Sequence, residues 1–180
     1  MYNMKKYLAT ILLSAISVIA FAQVKHTVTK SAVIFQLKNM GINTSGNFGG
    51  FKGAIQFDPS HPDASSVEAS VEVNTINTDN DTRDEHLKSD RYFDAAKYPK
   101  ITLSSVYLKH ISGNNYTGTF RLTIKDKTNT VELPFTYTET GNTASFKGTL
   151  KIKRTDYGVG GKSLVMSNDV TISIDVSTTK

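Results

Sequence analysis

The sequence predicts an all-β protein, an eight-stranded antiparallel β-barrel with a short helical or loop insertion after the third strand. Three observations lead there. Apolar and polar residues alternate with period two in eight separate segments, the signature of strands with one apolar face. Short Gly- and Asn-containing turn signals separate several of them. One stretch, residues 78–98, drops the alternation altogether.

The first 22 residues read as an address rather than as part of the barrel. Lys5 and Lys6 form a positive start, residues 7–21 carry no charge and are rich in Leu, Ile, Ala and Val, and Ala20-Phe21-Ala22 has the small-x-small form of a signal-peptidase site. Cleavage after Ala22 leaves Gln23 as the first mature residue. The competing reading is a membrane anchor, for which the apolar run is short against the roughly 20 residues of a span. A cleavable signal predicts export to the periplasm, with secretion beyond it open. The remaining 158 residues, 23–180, fit a single domain.

The strands come in order along the chain. Val33, Phe35 and Leu37 alternate with Ile34, Gln36 and Lys38 in the first; Phe51, Gly53, Ile55 and Phe57 form the stripe of the second. Gly49-Gly50 stands where the apolar parity shifts from Phe48 to Phe51, so one extra residue there predicts a bulge that bends the strand. Val67, Ala69, Val71 and Val73 make the third stripe, and Ile101, Leu103, Ser105 and Tyr107 a fourth, less clean one. Tyr116, Gly118, Phe120, Leu122 and Ile124 share the face of the fifth; Val131, Leu133, Phe135 and Tyr137 that of the sixth. Ala144, Phe146, Gly148, Leu150 and Ile152 mark the seventh, and Val170, Ile172, Ile174 and Val176 close the series. Gly113-Asn114-Asn115 and Thr140-Gly141-Asn142 punctuate the second half. Pro134 cannot donate to a ladder. It predicts either a bulged sixth strand or an incompletely closed seam, which a second copy of the chain would cover.

The insertion at 78–98 carries most of the local charge and is expected to start a short helix at Asn80 or Asp81. A connection this long inside a barrel is usually a lid or plug. Its aromatic residues Tyr92, Phe93 and Tyr98 give it something to bury.

Composition narrows the function classes. There is no cysteine, which removes a lipid-modified N-terminal Cys and any disulfide. Without Lys5 and Lys6, 19 bases face 16 acids, a net charge of +3, and the bases are scattered. That suits a modest, transient attraction to anionic membrane surfaces and lacks the clustering of a nucleic-acid footprint. Eight strands also make sandwiches and outer-membrane barrels. An outer-membrane barrel would carry aromatic girdles at both ends, whereas here the aromatics are scattered along the stripes and Trp is absent. With the stripes inward, the small residues Gly53, Ala69, Gly118, Ala144 and Gly148 either leave room for an elongated ligand or mark bends whose gaps Phe side chains fill.

Three segments together resemble a known family. They are Gly46-Asn47-Phe48-Gly49-Gly50-Phe51-Lys52-Gly53-Ala54-Ile55-Gln56-Phe57-Asp58-Pro59, then Thr82-Arg83-Asp84-Glu85-His86-Leu87-Lys88-Ser89 with Tyr92-Phe93-Asp94-Ala95 and Lys97-Tyr98-Pro99, and finally Arg154-Thr155-Asp156-Tyr157-Gly158-Val159-Gly160. They are similar to the YceI-like, polyisoprenoid-binding periplasmic proteins, over nearly the whole mature chain. The resemblance implies a lipocalin-like barrel around a long apolar tunnel for isoprenoid or fatty-acyl chains, without catalysis and without a cofactor other than that lipid. Family members usually carry Gly where this chain has Asp126.

The expected tunnel wall is Phe35 and Leu37 on the first strand, Phe51, Ile55 and Phe57 on the second, Val71 on the third, and Phe120 and Leu122 on the fifth. Phe135, Phe146, Leu150, Ile172 and Ile174 complete it on the last three. Arg83, Asp84, His86, Arg154 and Asp156 are the polar residues of the motifs. Either Arg83, His86 or Arg154 meets a polar lipid head, or these groups fasten the insertion to the rim by mutual pairing, with Asp84, Asp94 and Asp156 as partners for the arginines. His86 has no second His or Cys at metal-ligand spacing, and no nucleophile with an adjacent base stands out. A structural or protein-interaction barrel with a filled core is the alternative to a lipid carrier.

Overall fold

Strand β1 (Lys25–Asn39) is long enough to be shared by both ends of one sheet, and this closes the barrel. A computed structural model describes residues 24–180; the expected signal segment 1–22 lies outside the described residues. Along one edge β1 pairs with β9 (Asp169–Thr179), from Thr27↔Thr179 to Gln36↔Thr171. Along the other it pairs first with β3 (Lys52–Gln56) and then with β2 (Ile42–Phe48). β2 and β3 therefore occupy one position in the wall, and the nine strand segments make an eight-stranded antiparallel barrel. The break between them falls at Gly49-Gly50, where the parity shift predicts a bulge. There the Gly49 carbonyl accepts from Glu72 N–H at 3.1 Å, and Gly49 N–H donates to Thr75 Oγ1 at 2.8 Å. Gly50 has φ +62°, and a side chain on it would strike Glu72.

The remaining walls keep chain order: β4 (Ser66–Glu72), β5 (Lys100–Ser112), β6 (Asn115–Ile124), β7 (Lys127–Thr140) and β8 (Thr143–Lys153). Their directions give the barrel two unlike ends. The turn at 40–41, the insertion 73–99, the turn at 125–126 and the loop 154–168 gather at one end; the turns at 113–114 and 141–142 and the segment 57–65 gather at the other. The insertion contains the helix α1 (Asp81–Lys88), capped by Asn80, whose Oδ1 accepts from Arg83 N–H at 2.8 Å. This is where the capping signal places it.

One expectation needs correction, and the structure decides two points that the sequence leaves open. In β5 the register shifts between Ser105 and Tyr107, so Val106 is an extra residue. It reverses the facing of the residues after it: Tyr107 is exposed and Leu108 is fully buried. Pro134 does not bulge its strand, because the β6–β7 ladder runs unbroken from Asn115↔Thr136 to Ile124↔Lys127. Instead the β7–β8 ladder stops beside it, covering only Phe135↔Gly148 to Thr140↔Thr143. The missing N–H thus falls at a seam. In the turn at 125–126 it is Lys125, with φ +57°, that takes the left-handed conformation rather than Asp126.

The end away from the insertion is sealed by packing. Phe57 is fully buried, with ring centroids 5.2 Å from Tyr116, 4.9 Å from Tyr137, 5.9 Å from Phe135 and 5.4 Å from Phe146. His26 sits in the same cluster, with Nδ1 2.9 Å from Thr178 Oγ1 and Nε2 3.1 Å from the Phe57 carbonyl. The carbonyl can only accept, so Nε2 carries the hydrogen and Nδ1 accepts from the threonine hydroxyl. Burial holds the imidazole below its ordinary pKa, consistent with that neutral form.

Candidate functional site: a blind apolar tunnel under a fastened lid

Above the aromatic seal the interior is open. A cavity of about 230 Å³ runs up the barrel, many times the roughly 10–15 Å³ that holds one water, so it is not a packing defect. The wall residues anticipated from the stripes line it, namely Phe35, Leu37, Phe51, Ile55, Val71, Phe120, Leu122, Phe135, Phe146, Leu150, Ile172 and Ile174. Phe57 is the exception. It lies beneath the floor that Phe135 and Phe146 present, as part of the seal. The space does not come from the inward glycines. A side chain on Gly118 would collide with Phe120 and Leu108, and one on Gly148 would meet Leu133 and the Pro134 carbonyl at 3.0 Å. Neighbouring side chains crowd both sites, and of the two only Gly148 borders the cavity.

The underside of the lid completes the tunnel with residues that strand periodicity does not reveal. Leu87 and Arg83 lie one turn apart on α1, on the same helix face, and both line the cavity with Tyr92, Phe93, Val159 and Met166. Phe93 packs edge-on against Phe48 at 5.5 Å, and Phe48 against Phe35 at 5.4 Å. Gly160 N–H donates to the Arg91 carbonyl at 3.0 Å, joining the insertion to the 154–168 loop. The aromatic pair Tyr92-Phe93 is a usable sequence signal; Leu87 and Met166 carry none beyond being apolar.

The polar residues do not pair as carboxylate–guanidinium bridges. Thr78, a buried residue that no motif singles out, is the hub. Its backbone N–H and its hydroxyl both donate to Asp84 Oδ1, at 3.0 and 2.5 Å. Arg83 donates from Nε to the Thr78 hydroxyl at 2.8 Å and from Nη2 to the Thr78 carbonyl at 2.6 Å. Arg154, 4% exposed, donates to four carbonyls: Ser167 (2.9 Å) from Nε, Val159 (2.8 Å) and Gly161 (2.6 Å) from Nη1, and Met166 (3.2 Å) from Nη2. No carboxylate lies within ion-pair distance of it among the described residues. Burial works against its charge and draws its pKa down; carbonyl dipoles offset that cost without cancelling the charge. His86 and Asp156 leave the site. Both are exposed, and neither borders the cavity. Their motif positions place them on the outer face of α1 and of the tight turn at 154–157.

The parts of this arrangement determine its chemistry. An apolar tunnel closed at one end has the shape and lining for an elongated apolar group. Near the open end Arg83 and Arg154 border the same cavity with N–H groups left over after their protein bonds, donors suited to an oxygen-rich group. Among the described residues no cluster of three or more His, Cys, Asp or Glu is placed to hold a metal ion.

Fold and cavity define a lipocalin-like barrel with an internal apolar site. The YceI-like domain model matches residues 24–178, and the chain belongs to that family. It is 33% identical over 100 residues to a UPF0312 protein of Pectobacterium carotovorum, spanning 52% of that relative. It is 30% identical over 151 residues to a UPF0312 protein of Pectobacterium atrosepticum, covering 79% of this chain and 77% of the relative. Among solved structures it resembles BcnA of Burkholderia cenocepacia, with a TM-score of 0.82 at 30% identity over 85% of this chain and 100% of that one. A polyisoprenoid-binding domain from Saccharophagus degradans, implicated in plant cell wall breakdown, shares the fold with a TM-score of 0.69 at 15% identity, over 86% of this chain and 97% of that one.

Proposed function

We propose that this protein is a non-catalytic periplasmic carrier that holds one long apolar lipid in its tunnel, an isoprenoid such as a polyprenyl phosphate or an isoprenoid quinone. The observation that carries this reading is the blind apolar tunnel with guanidinium groups near its open end. Each methylene moved from water into such a wall contributes about 0.8 kcal/mol, so chain length alone supplies tight binding. Arg83 and Arg154 select for a polar head at the lid. The polyisoprenoid-binding neighbour supports the ligand class through a shared fold, and the export signal in residues 1–22 supports the compartment. A filled core would favour an interaction barrel instead; a cavity of about 230 Å³ speaks for a ligand.

The test is native mass spectrometry of protein purified from the periplasm, with organic extraction of the bound material. A co-purifying isoprenoid at one per chain is expected. Protein that arrives empty and also refuses added polyprenyl phosphates and quinones would sink the proposal.

A further inference from the structure

The rim of the tunnel is chemically lopsided. On one side the turn after β1 and the 161–167 loop are fastened together: Met40 N–H donates to the Val165 carbonyl at 2.7 Å, Ser167 N–H to the Lys38 carbonyl at 2.8 Å, and Asn39 bridges Met166. Four large apolar side chains crown this lip, Met40 (74% exposed), Ile42 (71%), Leu164 (107%) and Val165 (55%). Leu164 is held at the crest because Ser163 Oγ accepts from both Val165 N–H and Met166 N–H, at 3.3 and 3.1 Å. The two segments, residues 36–44 and 160–168, contain two lysines, Lys38 and Lys162, and no acid. Both lysines are exposed. The neighbouring part of the rim, α1 with its flanks, which the Arg91 carbonyl joins to Gly160, mixes Asp81, Glu85 and Asp90 with Lys88 and Arg91. Asn39 and Met166, at the base of the lip, line the tunnel itself.

We infer that this lip is a membrane-docking tip, which seats the tunnel mouth on an anionic phospholipid surface. The inference rests on the lipid-carrier reading. Exposed apolar side chains crowded on one edge mark an interaction surface. Apolar residues flanked by lysines and free of acids fit the head-group boundary of a bilayer, where the apolar groups sink and the lysines meet phosphates. Continuity with the mouth supplies the reason. A long isoprenoid resides in a bilayer, and a lip that dips into the head groups brings Asn39 and Met166 to where such a chain emerges. Specific capture of a protein partner would not need that continuity.

Tryptophan is absent from the chain, so a single Leu164→Trp variant reports the lip alone. With vesicles of phosphatidylglycerol and phosphatidylcholine carrying brominated acyl chains, its emission should shift to the blue and be quenched. In flotation assays Ile42→Glu/Leu164→Glu should reduce vesicle-bound protein at least tenfold. Lys38→Glu and Lys162→Glu should each weaken binding to phosphatidylglycerol vesicles by roughly fivefold and leave pure phosphatidylcholine unaffected. Ile111→Glu, on the exposed far end of β5, is the control and should change nothing. An unquenched Leu164→Trp, or equal flotation of the glutamate double variant and wild type, overturns the docking tip. Polyprenol delivered from detergent separates the two readings, because Ile42→Glu/Leu164→Glu should load from detergent as wild type does and fail only from vesicles. Wild type that takes up no lipid by either route counts against the carrier itself.

Discussion

A single oxygen of Asp84, Oδ1, takes two hydrogen bonds from Thr78, one from its backbone N–H at 3.0 Å and one from its hydroxyl at 2.5 Å. Both residues are buried. The pair spans the strand-side anchor and the first turn of α1, so it determines where the lid can sit. Because Arg83 reaches the same hydroxyl and the Thr78 carbonyl, one threonine fixes both motif residues.

Asp84→Ala leaves two buried donors of Thr78 without an acceptor. Each such group costs about 1–3 kcal/mol, so urea denaturation should show a loss of at least about 2 kcal/mol. Hydrogen exchange at the Thr78 amide should accelerate while amides in the β6–β7 ladder stay protected. Unchanged exchange at Thr78 would mean the lid is held elsewhere.

Arg154→Lys keeps the charge and loses the fork. One ammonium cannot reach four carbonyls arrayed around a planar guanidinium. Stability should fall by about 3 kcal/mol, the scale of breaking a buried charged network, and proteolysis should concentrate in residues 160–168. Arg154→Gln should behave likewise; a variant that lost lipid binding at full thermal stability would show that Arg154 serves the ligand without holding the loop.

Filling the tunnel separates capacity from folding. Ala69→Leu projects into the cavity from β4. It should change stability by no more than the roughly 1–3 kcal/mol typical of overpacking while reducing bound lipid severalfold. Phe120→Lys and Phe146→Glu should abolish uptake where they still fold. Tight binding by a folded charged variant would mean that the ligand lies elsewhere.

His26 gives the barrel an acid-sensitive component. Burial lowers its pKa in the folded state from an ordinary value of 6.5. The unfolded chain therefore binds the proton more readily. Stability from this group is complete above about pH 6.5 and declines as pH falls below it towards the lowered folded value. His26→Asn should flatten the urea midpoint between about pH 7 and pH 5, against a falling midpoint in wild type. Equal slopes would show that His26 does not carry the acid sensitivity in this range; the carboxyls of Asp58 and Glu139, held below their usual range by His61 and by Lys180, act only at lower pH.

The legibility of the chain divides along the line between strands and loops. A strand announces its facing every second residue, so the interior positions of Phe35, Leu122 and Ile174 are readable from the stripes alone. That signal fails where one residue is added, as at Val106, which turns Tyr107 outward. It is also blind to height along the barrel, which is why Phe57 reads like Ile55 though it sits below the cavity floor. The polar motif is visible as a set of residues but not as a circuit. Sequence suggests that charges pair with charges, whereas Arg154 is satisfied by loop carbonyls, and Asp84 by a threonine six positions earlier. Backbone acceptors have no letter in the sequence.

The aromatic seal beneath Phe135 and Phe146 makes the bore a ruler. In the lipid carrier proposed above, a chain entering tail first would advance until its tip met those rings, backed by Phe57 at 5.9 and 5.4 Å. Affinity should then climb carbon by carbon and level off at one length, beyond which every added unit would stay outside the lid.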